Sequence, residues 1–252
     1  MTVWDDALDL LADVWFHMRA LWATPFFLQT ALLTPFTFSM FRLIASRWRV
    51  APDLWFDASA SGLWATTTTA VGIIGYQRFQ GVLQYQAMGV KPAWAVFLPP
   101  VAASALIGVA GVPVAWATAS LFAGRAMMPE AAQLAGLALA ALACVASAAA
   151  LSALFVLSRR AIAFEPLVLT PVWLLSGIVL PVDRFPAVAR AIAFVHPLTA
   201  AVWVADRPRI DGPAAAAALW CLLLCMALLG CAGAGLRRAL GRAAVDGTLD
   251  LA

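Results

Sequence analysis

The sequence predicts an all-α membrane protein. Six transmembrane helices are expected, with an amphipathic helix at the membrane surface before them and a re-entrant helical segment between the fifth and sixth spans. Hydrophobic residues make up 64% of the 252 residues and charged residues only 12%, whereas soluble domains are about 25% charged. The apolar residues are gathered into long runs, and a helix needs about 20 of them to cross a bilayer.

Residues 1–22 form the predicted surface helix. Asp5, Asp6, Asp9 and Asp13 lie largely on one side of it. Apolar residues at steps of three and four form a stripe on the other side: Trp4, Leu8, Leu11, Trp15, Met18 and Trp22. Trp prefers the headgroup region, so we expect this helix to lie in the membrane interface. The alternative is a stripe that packs on other protein.

Six segments within residues 23–236 are predicted to span the membrane. Pro99, Pro100 and Pro113 predict a kink or break in the third of them. The second carries the polar run Thr66–Thr69, whose hydroxyls can bond carbonyls of their own helix. Residues 237–252 are expected to form a cytoplasmic tail of this single domain. The approximate spans are Ala23–Ala45, Ala60–Tyr76, Ala93–Phe122, Ala131–Leu157, Phe164–Leu180 and Pro213–Leu236.

Several functions are disfavoured by the composition and by missing motifs. The four cysteines lie in apolar runs and are expected to be buried thiols, not disulfides or metal ligands. A net charge of +3 is too small to indicate nucleic-acid binding. The sequence has no GxxxxGK[ST] phosphate-binding loop, so we expect any ATP to be bound by another subunit. No reactive constellation supports an intramembrane enzyme, and none marks an assembly factor.

Ionisable residues are scarce in the predicted spans. Arg42 is the deepest charge, close enough to the end of its span for the side chain to extend to the headgroups. A proton-coupled carrier usually keeps an ionisable group near the bilayer midplane. The sequence therefore disfavours such a carrier. A secondary carrier that uses carbonyls and hydroxyls for sodium, or a channel independent of ATP, is the alternative to ATP-driven transport.

Two stretches between the spans have a distinctive order of residues. Gln77–Lys91 is the most polar, with apolar positions spaced as on a short amphipathic helix; a solvated surface loop is the alternative. In Leu174–Trp203, an apolar run ends near Ser-Gly and Pro, and a loop and a short helix lead into His196-Pro197-Leu198-Thr199. The shared face of Val188, Ile192 and Val195 suits a short re-entrant helix. For His196, capping or packing is the simpler expectation.

Taken in order, these features resemble the permeases of type-2 ABC transporters. That family begins with an amphipathic helix, has six spans, and breaks the fifth at Ser-Gly before a short helix that ends in Asn/His-Pro-Leu. After the second span it commonly has Glu-Arg, three residues and Gly, in a helical loop that contacts the ATPase. Here Gln77-Arg78 and Gly81 resemble that pattern, with Gln in place of Glu and a shorter interval.

The resemblance implies the non-catalytic membrane subunit of an ABC exporter in a bacterial inner membrane, with both termini cytoplasmic. Two permeases, identical or related, would form the path, and two copies of an ATPase subunit would bind ATP and Mg²⁺. The resemblance also implies roles for individual residues. The ATPase-coupling loop would be Gln77, Arg78, Gly81, Gln84 and Tyr85; the substrate path Thr66, Thr67, Thr69, Thr170, Trp173 and Ser176; and the extracytoplasmic gate Gly177, Pro181, Pro186, His196 and Pro197.

The expected path residues indicate the class of substrate. A path of Trp, Phe and Thr without a buried charge suits a hydrophobic or amphipathic solute, such as a drug in multidrug efflux, a lipid or a lipid-linked product. Helix–helix packing is the alternative role for the same side chains. Basic residues divide evenly between the two sides of the predicted topology, so the positive-inside rule does not decide the orientation.

Overall fold

A computed structural model describes residues 3–79, 81, 85, 91–157 and 161–245, and all regular elements in these residues are helical. Two short 3-10 segments, Ile107–Gly111 and Val182–Arg184, interrupt the α-helices. The α-helices of the described residues are α1 (Val3–Trp22), α2 (Pro25–Ala45), α3 (Leu54–Phe79), α4 (Ala93–Leu106), α5 (Val112–Ala123), α6 (Ala131–Leu157), α7 (Ala161–Leu175), α8 (Ala187–Ala193), α9 (Pro197–Ala205) and α10 (Gly212–Val245).

Long apolar helices indicate that the protein is embedded in a membrane. Within the described residues, four helical segments are long and apolar enough to cross a bilayer: Pro25–Ala45, Ala93–Ala123, Ala131–Leu154 and Gly212–Arg238. The short helices α8 and α9 are joined at an angle of 104°. Counted as one broken span, this pair raises the number to five.

The prediction of six separate spans is only partly matched, and the second and fifth predictions account for the difference. α3 has 26 residues, but its hydroxyl side chains and Asp57 make it too polar to qualify as a span by composition. The described part of α7 has 15 residues, fewer than a bilayer requires. The other four predictions agree with α2, the α4–α5 pair, α6 and α10 to within a few residues at their starts.

The predicted interruption of the third span occurs at Ile107–Gly111, whereas the two prolines inside α4 leave that helix continuous. The interruption packs against both α2 and α3. A Cβ atom on Gly108 would lie 2.9 Å from the Cα of Leu63, and one on Gly111 would overlap the carbonyl oxygen of Ala31. The two glycines therefore allow three helices to meet at this point.

α6 is the central helix of the bundle and packs against α3, α4, α9 and α10. Its buried positions are mostly alanine, and a Cβ on Gly136 would lie 2.6 Å from the Cβ of Ala205 in α9. α9 is buried along nearly its whole length. Small side chains allow these close approaches between helices, since bulkier ones would hold the axes apart.

α1 packs against α4. The Nζ atom of Lys91, just before α4, lies 2.9 Å from Oδ2 of Asp13. The apolar stripe of α1 is turned away from the rest of the chain, because Leu8, Trp15 and Trp22 are each more than half exposed. The described part of this chain does not cover the stripe, which favours the membrane surface as its environment.

Candidate functional site

A cavity of about 570 Å³ lies at the end of the bundle where α2 ends and α3 and α6 begin. We call it the acidic cavity, because carboxylates outnumber basic groups in its walls. The carboxylates come from the α2–α3 connection, the start of α6, and the segments around α8 and α9. The charged lining residues are Asp53, Asp57, Glu130, Asp183, Asp206, Arg42 and Arg207.

Arg42 joins three segments at this cavity. Its Nη2 atom lies 3.1 Å from Oδ2 of Asp57 and 3.7 Å from Oδ2 of Asp53, both on the α3 side. Its Nη1 atom donates a hydrogen bond of 3.2 Å to the carbonyl oxygen of Ile178, beyond the end of α7. The sequence predicts that Arg42 extends to the headgroups, but in the structure it finds its partners within the protein.

Asp57 is the most buried of these carboxylates, with only 3% of the residue exposed. It lies in the first turn of α3, where the helix dipole favours a negative charge, and Arg42 provides the counter-charge that a buried carboxylate needs. Sequence reasoning missed this group because it began the second span at Ala60. A signal was available: Asp53 and Asp57 are spaced i, i+4 around the apolar residues 54–56.

Three carboxylates of the acidic cavity converge. One oxygen atom each from Asp53, Asp57 and Asp206 lies within 4.8 Å of the others. Carboxylate oxygens are ligands for hard cations such as Ca²⁺, so among the described residues these three could hold a metal ion. Arg42 already supplies a positive charge at the same place, and its ion pairs satisfy Asp57 without a metal.

The raised pKa of Asp206 predicts that the stability of the protein depends on pH. Partial desolvation at the wall of the acidic cavity, together with the neighbouring Asp53 and Asp183, raises the pKa of Asp206 to about 6, against the opposing effect of Arg42. The native state then binds this proton more tightly than the unfolded chain does. Asp206 therefore contributes stability that is fully present below its unfolded pKa of about 4 and is lost as the pH rises through about 6.

We therefore expect the melting temperature of the purified protein to fall between about pH 4 and pH 7, and to fall less in Asp206→Asn. Thermal unfolding across this pH range measures the effect. Asp211→Asn is the matched control, because Asp211 caps the start of α10 through the backbone N–H of Ala214 and an asparagine can keep that bond. An equal fall in D206N and in the wild type would contradict the assignment.

The path residues predicted on α3 are occupied by contacts within the bundle. Thr66 and Thr67 are fully buried. The Thr66 hydroxyl lies 2.9 Å from the carbonyl oxygen of Ala105 in α4, and that of Thr67 donates to the Leu63 carbonyl at 2.8 Å. Thr69 is half-buried and bonds its own helix in the same way. These contacts favour the packing role for Thr66 and Thr67.

The path residues predicted on α7 lie nearer the surface. Thr170 is exposed, and the half-buried Trp173 makes an edge-to-face contact with Phe38 of α2 at 6.3 Å between ring centroids. Ser176 is buried and donates to the Trp173 carbonyl at 2.7 Å. α3 and α7 are joined through Trp64, whose Nε1 donates to the carbonyl of residue 169 at 3.2 Å. Of the predicted path residues on α7, Thr170 and Trp173 are thus the ones whose side chains remain accessible from outside the chain.

The predicted gate residues occupy the turns of the segment between α7 and α10. Gly177 has a φ of +100°, which L side chains rarely adopt. Pro181 and Pro186 immediately precede the 3-10 segment and α8, and Pro197 is the first residue of α9. Each of these residues thus fixes the direction of the chain where one short element meets the next.

His196 caps α9. Its Nδ1 atom accepts a hydrogen bond of 3.2 Å from the backbone N–H of Leu198, which leaves the proton of the neutral ring on Nε2. Nε2 lies 3.0 Å from Oγ of Ser147 in α6, and the ring meets Trp64 edge to face at 5.4 Å. The structure therefore gives His196 the capping and packing contacts expected of it.

The predicted coupling residues lie at the end of the bundle opposite the acidic cavity. Gln77 and Arg78 belong to the last turn of α3, so the helix reaches further than the sequence predicts. Gly81 forms a turn with a φ of +71°, and Tyr85 is 68% exposed. Gln84 lies outside the described residues. The ring of Tyr85 is thus exposed to the surroundings of the chain.

Comparison of the chain with protein-family models, with curated proteins and with solved structures gives no match. The fold and the site define a helical membrane-embedded protein with an acidic cavity at one end.

Proposed function

We propose that the chain is the permease subunit of an ATP-driven ABC exporter of the type-2 class. The proposal is supported by the order of features along the chain: a surface helix, apolar helices, a stretch after α3 that is polar in sequence, and a bent helical pair before the last long helix. In this proposal α3 and α7 serve as the second and fifth spans, and neighbouring subunits cover what a single chain leaves exposed.

The bend between α8 and α9 is the observation that carries the proposal. The two short helices meet at 104°, and α9 is held in the bundle by packing on α6 and α10. Trp220 of α10 donates from Nε1 to the carbonyl oxygen of Phe194 at 2.8 Å, which fixes the bend. A chain that enters and turns back in this way, between the fifth and last spans, is what the resemblance implies for an extracytoplasmic gate.

Open faces on α7 and α2 support a second permease subunit. Leu167 and Leu174 of α7 and Leu33 and Phe41 of α2 are all large, apolar and exposed. The contact between Phe38 and Trp173 shows that the two helices are neighbours. In the proposed assembly, an identical or related permease covers these faces, and the substrate path lies between the two chains.

The end of the bundle that carries α1 and Tyr85 is the proposed site of the ATPase. The ion pair between Lys91 and Asp13 links α1 to the start of α4. A partner that pushes on this end of α4 would therefore move α1 as well. ATP and Mg²⁺ belong to the partner in this proposal, since the chain has no phosphate-binding loop. Both termini would then be cytoplasmic.

The proposed cargo is a hydrophobic or amphipathic solute. Trp173 and the apolar faces of α7 and α2 offer such a solute an aromatic and aliphatic surface. The acidic cavity lies at the far end of the path, where its excess of carboxylates would favour solutes that carry a positive charge as well.

Purification from native membranes tests the proposal. We expect an affinity-tagged chain to retain a separate protein with a GxxxxGK[ST] motif, and Tyr85→Ala to retain about tenfold less of it, because exposed aromatic residues often dominate protein interfaces. Mass spectrometry of the eluate measures both quantities. Ile210→Ala is the control, because Ile210 is a similarly exposed apolar residue at the opposite end of the bundle.

Two results would count against the ABC assignment. One is a wild-type chain that retains no nucleotide-binding protein. The other is transport by the purified chain alone under an ion gradient, which would favour the secondary carrier or channel.

A further inference from the structure

A groove lies between α4, α6 and α10, at the end of the bundle opposite the acidic cavity. Its volume is about 330 Å³, within the range of roughly 300–1,000 Å³ that small-molecule sites occupy. We call it the α10 groove. Its lining residues are Trp94, Phe97, Leu98, Val101, Ala149, Ser152, Ala153, Leu229, Gly230, Ala232, Gly233, Leu236 and Arg237.

Two glycines of α10, Gly230 and Gly233, leave room in the groove because they have no side chain to fill it. A Cβ atom added to Gly230 would meet nothing within 4 Å, and one added to Gly233 would meet only the guanidinium of Arg237 at 4.0 Å. Phe97 and Val101 form the opposite wall and are buried. The result is a slot with almost wholly apolar walls.

Arg237 gives the groove a charged end. Its guanidinium lies near Gly233, one turn back along α10, and so borders the slot. No ion pair formed between described residues involves Arg237, and no carboxylate lines the groove. Trp94, in the first turn of α4, is partly exposed at the same place.

The positive charge of Arg237 and the apolar walls of the groove favour an occupant that is anionic at one end and aliphatic along the rest. The groove also lies near the start of α4, the helix on which the surface helix α1 packs. Arginine binds phosphate oxygens through two parallel N–H groups, and tryptophan is enriched at headgroup level. Basic pockets between membrane helices are known to take acidic lipid headgroups.

We propose that the α10 groove binds an anionic phospholipid, with one acyl chain in the slot and the phosphate on Arg237. A second copy of this chain is a poorer occupant, because it would have to bury the guanidinium against a matching carboxylate. The proposal needs only that the protein is embedded in a bilayer. It does not depend on transport or on an ATPase.

Native mass spectrometry of the purified full-length protein tests this site. The protein would be equilibrated with equal amounts of phosphatidylglycerol and phosphatidylcholine that have the same acyl chains. We expect one phosphatidylglycerol to be retained per chain in preference to phosphatidylcholine. Arg237→Gln should reduce that preference roughly five- to tenfold, as expected for one charged contact with phosphate.

Arg238→Gln is the matched control, because it removes the same charge from the neighbouring, exposed position, which does not line the groove. Gly233→Leu fills the slot and should abolish retention, whereas Gly241→Leu adds the same side chain beyond the groove, where a Cβ meets nothing within 4 Å. Equal retention of the two lipids, equal losses in R237Q and R238Q, or normal lipid retention in G233L would each overturn the proposal. So would a dimer that dissociates in G233L, since a second chain would then be the occupant.

Discussion

Replacing Arg42 by glutamine is expected to lower the melting temperature by roughly 5–10 °C. The substitution leaves Asp57 buried without its counter-charge, and breaking a buried ion pair by removing one partner costs about 3–5 kcal/mol. The lower part of that range is expected, because the Arg42 side chain is about a quarter exposed and Asp57 can take up a proton. The same substitution removes the hydrogen bond that ties Ile178 to α2.

The double variant R42Q/D57N separates the charge effect from a loss of packing. Removing both partners of a buried pair is often nearly neutral, so the double variant should melt several degrees above R42Q. Arg49→Gln is the control, because it removes an exposed charge from the nearby connection between α2 and α3. This variant should leave the melting temperature unchanged within about 1–2 °C. A double variant as unstable as R42Q would show that the ion pair is not the source of the effect.

Replacing Gly177 by alanine is expected to have the second large effect. A φ of +100° is costly for any residue with a Cβ, by about 1–3 kcal/mol. The added atom would also lie 2.9 Å from Cγ2 of Val182 and 3.1 Å from Cγ1 of Val202, so both side chains would have to move. Thermal unfolding should show a fall of several degrees, with the segment after α7 displaced from α9.

Gly177 also tests the proposed gate. Transport by proteoliposomes that contain the proposed ATPase partner should be impaired in G177A at a temperature where the variant is still folded, while retention of that ATPase stays at the wild-type level. Gly212→Ala is the matched control, because a Cβ at that exposed glycine meets nothing within 4 Å.

Pro197→Ala provides a gentler test of the same segment. A first-turn proline contributes mainly by restricting the unfolded chain, so this variant should fold, and its loss of transport would report on the gate. Wild-type transport rates in both G177A and P197A would contradict the gate role.

The sequence predicts best the helices that need no distant partner. α6 begins at the predicted Ala131, because a segment made mostly of alanine and leucine strongly favours a helix. The break at Ser176-Gly177 was also predictable, since few other residues tolerate the backbone conformation of Gly177. Local chemistry was sufficient in both regions.

The acidic cavity could not be predicted because it depends on contacts between distant segments. Asp57 and Arg42 are 15 positions apart, and Asp206 comes from a third region of the chain. In a hydropathy profile these residues only separate apolar runs, whereas in the bundle Arg42 pairs with Asp57 and the carboxylate of Asp206 lies beside that of Asp57. The threonines of α3 show the same difficulty, because a hydroxyl that bonds a carbonyl of its own helix and one that faces a solute have the same sequence.

α3 has a mechanical consequence that follows from its length. It contains 26 residues and no proline, so it is a rod of about 39 Å. Asp57 lies near one end of α3 and Gln77 near the other, and a hydrogen bond from Trp64 joins α3 to α7 between them. Because a continuous helix bends little, a tilt of α3 imposed near Gln77 would also move the ion pairs around Asp57. A single helix thus couples the two ends of the protein.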